Sequence, residues 1–175
     1  YLNSGPGSLA GLFVHEKHAN NKNLPRFAGW WNHNKKTRFN MRQPFDVMAG
    51  AEGWQLSNPP ILSMAAIRAS LDVFAKVSMN ALREKSVKLT GYFEYLIHQI
   101  DSDQIKIITP KNPKERGCQL SVQVKNADKN LHRKLTENHV ITDWREPDVI
   151  RCAPVPLYNS FEDVYRMVQI LKSLL

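Results

Sequence analysis

The chain changes character at one place, Asn58-Pro59-Pro60, and that change limits what it can fold into. Before it, residues 1–58 hold no lasting helical period. Gly, Pro, Asn and Trp recur there, and GLFVHE at 11–16 is the one clear strand candidate. After it, Ile67, Leu71 and Phe74 fall at i, i+4 and i+7, on one helical face. Leu82, Leu89, Phe93, Leu96 and Ile100 carry that stripe onward. Asn58 can cap a helix and a proline suits the first turn, so 60–100 reads as one long kinked helix or two in series, with Ser78 as bend or restart. An irregular segment as long and aromatic as the first is more often a functional surface than a spacer.

From residue 105 the texture is that of a small α+β domain. IKIIT at 105–109 and QLSVQV at 119–124 read as strands, and Asp128 to Asn138 as a helix. HVITDW at 139–144 and DVIRCA at 148–153 read as two short strands around a charged turn. Ser160-Phe161-Glu162-Asp163 resembles a capping box, and the helix it opens has Val164, Met167, Val168 and Leu171 on one face. A small, mainly antiparallel sheet with helices on one face accommodates these elements.

A hydrophobic content of 42% with four Trp, five Tyr and seven Phe argues against disorder. The formal net charge of +8 admits nucleic acid, an anionic ligand or a solvated basic surface. The densest basic stretch, HNKKTRFNMR at 33–42, lies in no recognition motif, so nucleic acid is set aside. No apolar run is long enough to span a bilayer, and no secretory signal is read at the start. Cys118 and Cys152 make no disulfide framework and suit a reducing cytoplasm; both read as buried structural thiols.

Two motif matches fail on chemistry. His15-Glu16-Lys17-His18 spaces its histidines at i, i+3, where a helical zinc pair needs i, i+4, so no metal is assigned. Gly5-Pro6-Gly7-Ser8-Leu9-Ala10 has dinucleotide-fingerprint spacing but no strand before it. Three features remain. Gly29-Trp30-Trp31-Asn32-His33 places indole N–H groups in a non-periodic loop, either as core anchors or aimed at a polar ligand. Ser57-Asn58-Pro59-Pro60 puts polar groups at a helix N-terminus, as caps or as anion ligands. Arg151 interrupts an apolar strand and must be paired, with an internal carboxylate or with a substrate carboxylate.

The phrases YLNSGPG, GLFVHEKH, GWWNHN, TRFNM, LSNPPIL, ERGCQL and IRCAPVPLYNSFEDVY occur here in the order seen in kynureninases, and the resemblance covers essentially the whole chain. It implies the C-terminal portion of a fold-type I pyridoxal-phosphate enzyme: 1–60 ending the large cofactor domain and forming dimer surface, 61–100 a helical connection, 101–175 a small domain. It also implies a cytoplasmic homodimer that hydrolyses kynurenine or 3-hydroxykynurenine to anthranilate or 3-hydroxyanthranilate plus alanine. Trp30 and Asn58 match the family's phosphate-contacting residues, which reach the neighbouring subunit's site. Arg151 matches the arginine that binds the substrate α-carboxylate, and His33 and Ser57 are placed along the substrate ring. The Schiff-base lysine is expected just before Tyr1, so no catalytic residue is assigned within these residues, and the chain alone is expected to be inactive. A cysteine desulfurase-like enzyme of the same fold and a non-catalytic basic binding module are the alternatives.

Overall fold

Helix α3 (Met79–His98) is the longest helix described, and its buried face, with Leu89, Phe93 and Ile97, joins the core that the following strands and helices share. In the computed structural model residues 1–2, 4–40, 44–100 and 102–175 are described. They divide into two units, Leu2–Val73 and Phe74–Leu175, the second also taking in Tyr1. The division falls inside the stretch expected to connect two domains.

In the second unit Ser78 starts α3, its hydroxyl accepting a hydrogen bond from the Ala81 amide at 3.1 Å. The chain then forms β1 (Ile105–Ile107), β2 (Leu120–Val124), α4 (Lys129–Glu137), β3 (Asp143–Arg145), β4 (Val149–Cys152) and α5 (Phe161–Leu174). The four strands make one antiparallel sheet in the order β1-β2-β4-β3. Period two then sorts the side chains. Leu120, Val122, Ile150, Cys152 and Trp144 point into the core, where Leu89, Phe93 and Ile97 of α3 and Val164, Val168 and Leu171 of α5 meet them. Each large side chain so buried contributes roughly 1.5–3 kcal/mol. α4 adds Leu131 and Leu135. Ser160 and Asp163 close the expected capping box on α5, at 3.1 Å and 2.7 Å.

The opposite sheet face carries Ser121, Gln123, Asp143, Arg145, Val149 and Arg151, alternating with the core residues. Of the expected strand HVITDW only Asp143 and Trp144 are paired. The residues before them are spent ending α4: the His139 amide bonds to the Thr136 carbonyl and the Val140 amide to the Leu135 carbonyl, both at 2.9 Å, with His139 at φ 62°.

The unit Leu2–Val73 is built differently. Asn32, Val47 and Gly53 are its buried residues among those described. Polar clasps tie its loops together. The Asn32 side-chain oxygen accepts from the Gly29 amide, and its amide group donates to the Phe27 carbonyl, both at 2.8 Å. Arg26 lies over the Trp54 ring at 4.3 Å and donates to the Asn21 carbonyl at 2.6 Å. Arg38 lies over Trp31 at 4.9 Å.

GLFVHE is not a strand. Among the described residues no strand pairs with it, Phe13 is exposed, and the chain turns instead into the short helix α1 (Glu16–Ala19). The long helical stretch resolves into two helices in series, α2 (Ile61–Phe74) and α3. Asn58 does not cap α2. The first intrahelical bond runs from the Met64 amide to the Pro60 carbonyl at 3.0 Å, which leaves Asn58 two residues outside the cap position.

Candidate functional site

Two loops of the unit Leu2–Val73 carry four of the five expected site residues, and backbone contacts at Leu56 hold those loops together. The Trp31 amide donates to the Leu56 carbonyl at 3.3 Å. Gly29 approaches Leu56 so closely that a Cβ there would stand 2.2 Å from the Leu56 carbonyl oxygen, closer than any side chain permits. Trp30 lies between these two contacts, and Ser57 and Asn58 follow Leu56 directly. The fold thus brings the Trp30 loop alongside the Ser57-Asn58 turn. Trp30 is about half exposed, at 51%, and its ring leans on Phe39 with centroids 5.4 Å apart. Ser57 and Asn58 are exposed. An indole N–H and a carboxamide offered on adjacent loops are neutral donors of the kind a phosphate accepts.

His33 is held by other neighbours. Its backbone forms an isolated β-bridge with Val47, and its half-buried ring sits 5.5 Å from the Phe45 ring. Beside it the Asn34 side chain donates to Asp46 at 2.7 Å. This bond, with Lys22 nearby, holds the Asp46 carboxyl below the usual carboxylate range.

Arg151 lies in the other unit, on the sheet face turned away from the helices. The antiparallel register sets it opposite Asp143 on one side and Ser121 on the other. Its Nη2 donates to the Asp143 carboxylate, which also takes Arg145 at 2.9 Å. The Arg151 bond is the main reason the Asp143 carboxyl is held below its ordinary range. The Nε–H of Arg151 is buried with no partner among the described residues. A guanidinium half used and half unspent suits a second carboxylate, since a buried donor left unpaired is costly.

Tyr1 adds to this surroundings. Its main-chain carbonyl accepts from the Tyr158 hydroxyl at 2.8 Å. Its own hydroxyl is pushed up to about 12, chiefly by the Cys118 thiol and then by burial, while the Arg151 charge works the other way. Cys118 is half-buried rather than buried as expected, whereas Cys152 lies in the core.

Sequence reasoning missed Gly29, Asn32 and Asp143. For Asp143 a signal existed: it and Arg151 are equidistant from Pro147, so a hairpin centred on that proline pairs them. For Gly29 and Asn32 the partners are distant backbone atoms that no spacing indicates.

A family model described as the kynureninase C-terminal domain matches residues 82–171. The chain belongs to that family. It is 54% identical over 172 residues to a kynureninase of Myxococcus xanthus (strain DK1622), covering 98% of this chain and 40% of that protein. A kynureninase of Flavobacterium psychrophilum is also 54% identical, over 175 residues, covering 98% of this chain and 41% of that protein. The chain therefore spans about 40% of the length of these kynureninases. Among solved structures, the apo cysteine desulfurase from Thermococcus onnurineus NA1 superposes with a TM-score of 0.68 at 12% identity, over 92% of this chain and 41% of that one. A cystine C–S lyase in complex with cysteine persulfide gives 0.65 at 14% identity, over 85% and 38%. These two likenesses show the fold alone, an α/β architecture of the fold-type I kind.

Proposed function

We propose that this chain is the C-terminal portion of a kynureninase, a pyridoxal-phosphate enzyme that cleaves the Cβ–Cγ bond of L-kynurenine or 3-hydroxykynurenine with water. The products are anthranilate or 3-hydroxyanthranilate and L-alanine. The observation that carries this reading is the 54% identity to a kynureninase over 98% of the chain. The donor sets support it: neutral N–H groups of Trp30 and Asn58 on clasped loops, and a guanidinium with a buried, unspent N–H at Arg151.

In this reading Trp30 and Asn58 hold the cofactor phosphate. Arg151 grips the substrate α-carboxylate, which orients the Cα–H bond. His33 and Ser57 line the aromatic ring. Bound pyridoxal phosphate supplies an electron sink for the charge left at Cα when its proton departs. The cofactor lysine lies outside these residues, and none of Lys17, Lys22, Lys35 or Lys36 takes its place. Exposed apolar side chains on the first unit, among them Phe13, Phe27, Ile61 and Leu62, fit a surface that is covered in the full-length homodimer. Trp30 and Asn58 then serve the neighbouring subunit's site. The setting is cytoplasmic, in keeping with two free cysteines.

The test is turnover of L-kynurenine by the full-length protein with pyridoxal phosphate, read by anthranilate fluorescence and alanine release. Activity is expected from the full-length protein and none from residues 1–175 alone. Arg151→Lys is expected to raise KM at least about tenfold, because a point charge replaces a two-point fork. A full-length protein that releases no anthranilate would overturn the assignment.

A further inference from the structure

We propose that Asp143 is the positioning residue for Arg151, fixing the guanidinium so that Nε–H is presented to the substrate α-carboxylate; this rests on the function proposed above. Three observations bear on it. The two residues are cross-strand partners in the β3–β4 register, so the backbone itself sets their spacing. The Asp143 carboxylate engages Nη2 of Arg151 and no other atom of that guanidinium, and Nε remains buried and unpaired among the described residues. Asp143 also binds Arg145, through both oxygens at 3.1 Å and 2.9 Å.

Each contact has a separate consequence. A free arginine side chain has many rotamers, and an anchor at one nitrogen removes most of them before substrate arrives. Because the anchor takes only Nη2, the fork keeps a donor for a second acceptor. Asp143 by itself would neutralise Arg151 and weaken its pull on an anion. Arg145 offsets that: two guanidinium groups share one carboxylate, and the cluster of Arg145, Asp143 and Arg151 keeps one net positive charge. It therefore attracts a monoanionic carboxylate while its geometry is already set.

The experiment uses the full-length holoenzyme and the variants Asp143→Asn and Asp143→Glu. Asp143→Asn is expected to raise KM for L-kynurenine about tenfold while kcat changes by less than about threefold, since the loss falls on carboxylate binding. Asp143→Glu keeps the anion and is expected to recover most of the affinity. Calorimetry supplies a readout independent of turnover. L-Alanine is expected to bind about tenfold more weakly to Asp143→Asn, and the decarboxylated analogue of kynurenine equally well to both proteins. Equal weakening of both ligands would mean a structural role and overturn the proposal, as would unchanged alanine binding. A wild-type holoenzyme that binds alanine but leaves kynurenine intact would defeat the functional reading alone.

Discussion

Gly29 and Leu56 meet backbone to backbone, and that contact sets the distance between the Trp30 loop and the Ser57-Asn58 turn. A methyl group at Gly29 would lie 2.2 Å from the Leu56 carbonyl oxygen, so one loop must move. Gly29→Ala is therefore expected to cost about 1–3 kcal/mol and to lower pyridoxal-phosphate affinity of the full-length protein about tenfold or more. Absorbance-monitored reconstitution measures the affinity. Gly11→Ala, where a Cβ meets nothing within 4 Å, is the matched control and is expected to be neutral.

Asn32 is fully buried and both ends of its carboxamide are used. Asn32→Leu leaves the Gly29 amide and the Phe27 carbonyl unpaired, an expected loss of roughly 2–4 kcal/mol. Asn32→Asp keeps an acceptor for Gly29 but sets a buried carboxylate oxygen against the Phe27 carbonyl, so it is expected to cost at least as much. Proteolysis of the 26–34 loop, faster in both variants than in the parent chain, checks this.

The second unit holds an ion pair away from water. Arg116 Nη2 stands 2.9 Å from Glu94 Oε2, with only 3% of the arginine side chain and 16% of the glutamate side chain exposed. Arg116 Nη1 donates to the Pro110 carbonyl at 3.1 Å, which ties down the loop before Cys118. Arg116→Leu strands a carboxylate and is expected to cost about 3–5 kcal/mol in urea unfolding. The double variant with Glu94→Leu is expected to recover most of that loss. Additive losses would show that the pair is not coupled.

Cys152 provides a pH dependence with a definite sign. Burial pushes its thiol up to about 12 from an ordinary 9.0. Above pH 9 the unfolded chain gives up this proton while the folded chain keeps it, so the folded state loses stability as pH rises from about 9 towards 12. The slope from this one group is roughly 1 kcal/mol per pH unit. Cys152→Ala should flatten that part of the profile. At neutral pH a small alkylating reagent should modify half-buried Cys118 first and reach Cys152 only on unfolding.

Much of the second unit was legible because its signals are local. Ser78, Asp128 and Ser160 each stand at a helix start, where a short polar side chain satisfies amides within three residues. The alternation in LSVQV needs no knowledge of its neighbours to mark an inner and an outer face. GLFVHE shows the limit of such reading. Its composition suits a strand, yet a strand exists only with a partner, and none pairs with it among the described residues. HVITDW fails similarly: helix termination claimed His139 and Val140 through hydrogen bonds to α4 carbonyls.

The site divides along the same line. Residue type and order alone singled out the Gly29–His33 loop with its two tryptophans, the Ser57-Asn58-Pro59-Pro60 turn and Arg151, and the resemblance to kynureninases chose Trp30 and Asn58 within them. Their partners came only with the folded chain. Asp143 reaches Arg151 through strand register, and the Trp30 loop reaches the Asn58 turn through Gly29 against the Leu56 carbonyl. Side-chain chemistry and short-range periodicity are properties of the sequence itself. Which donor meets which acceptor across tens of residues depends on backbone geometry, and only the tertiary structure decides that.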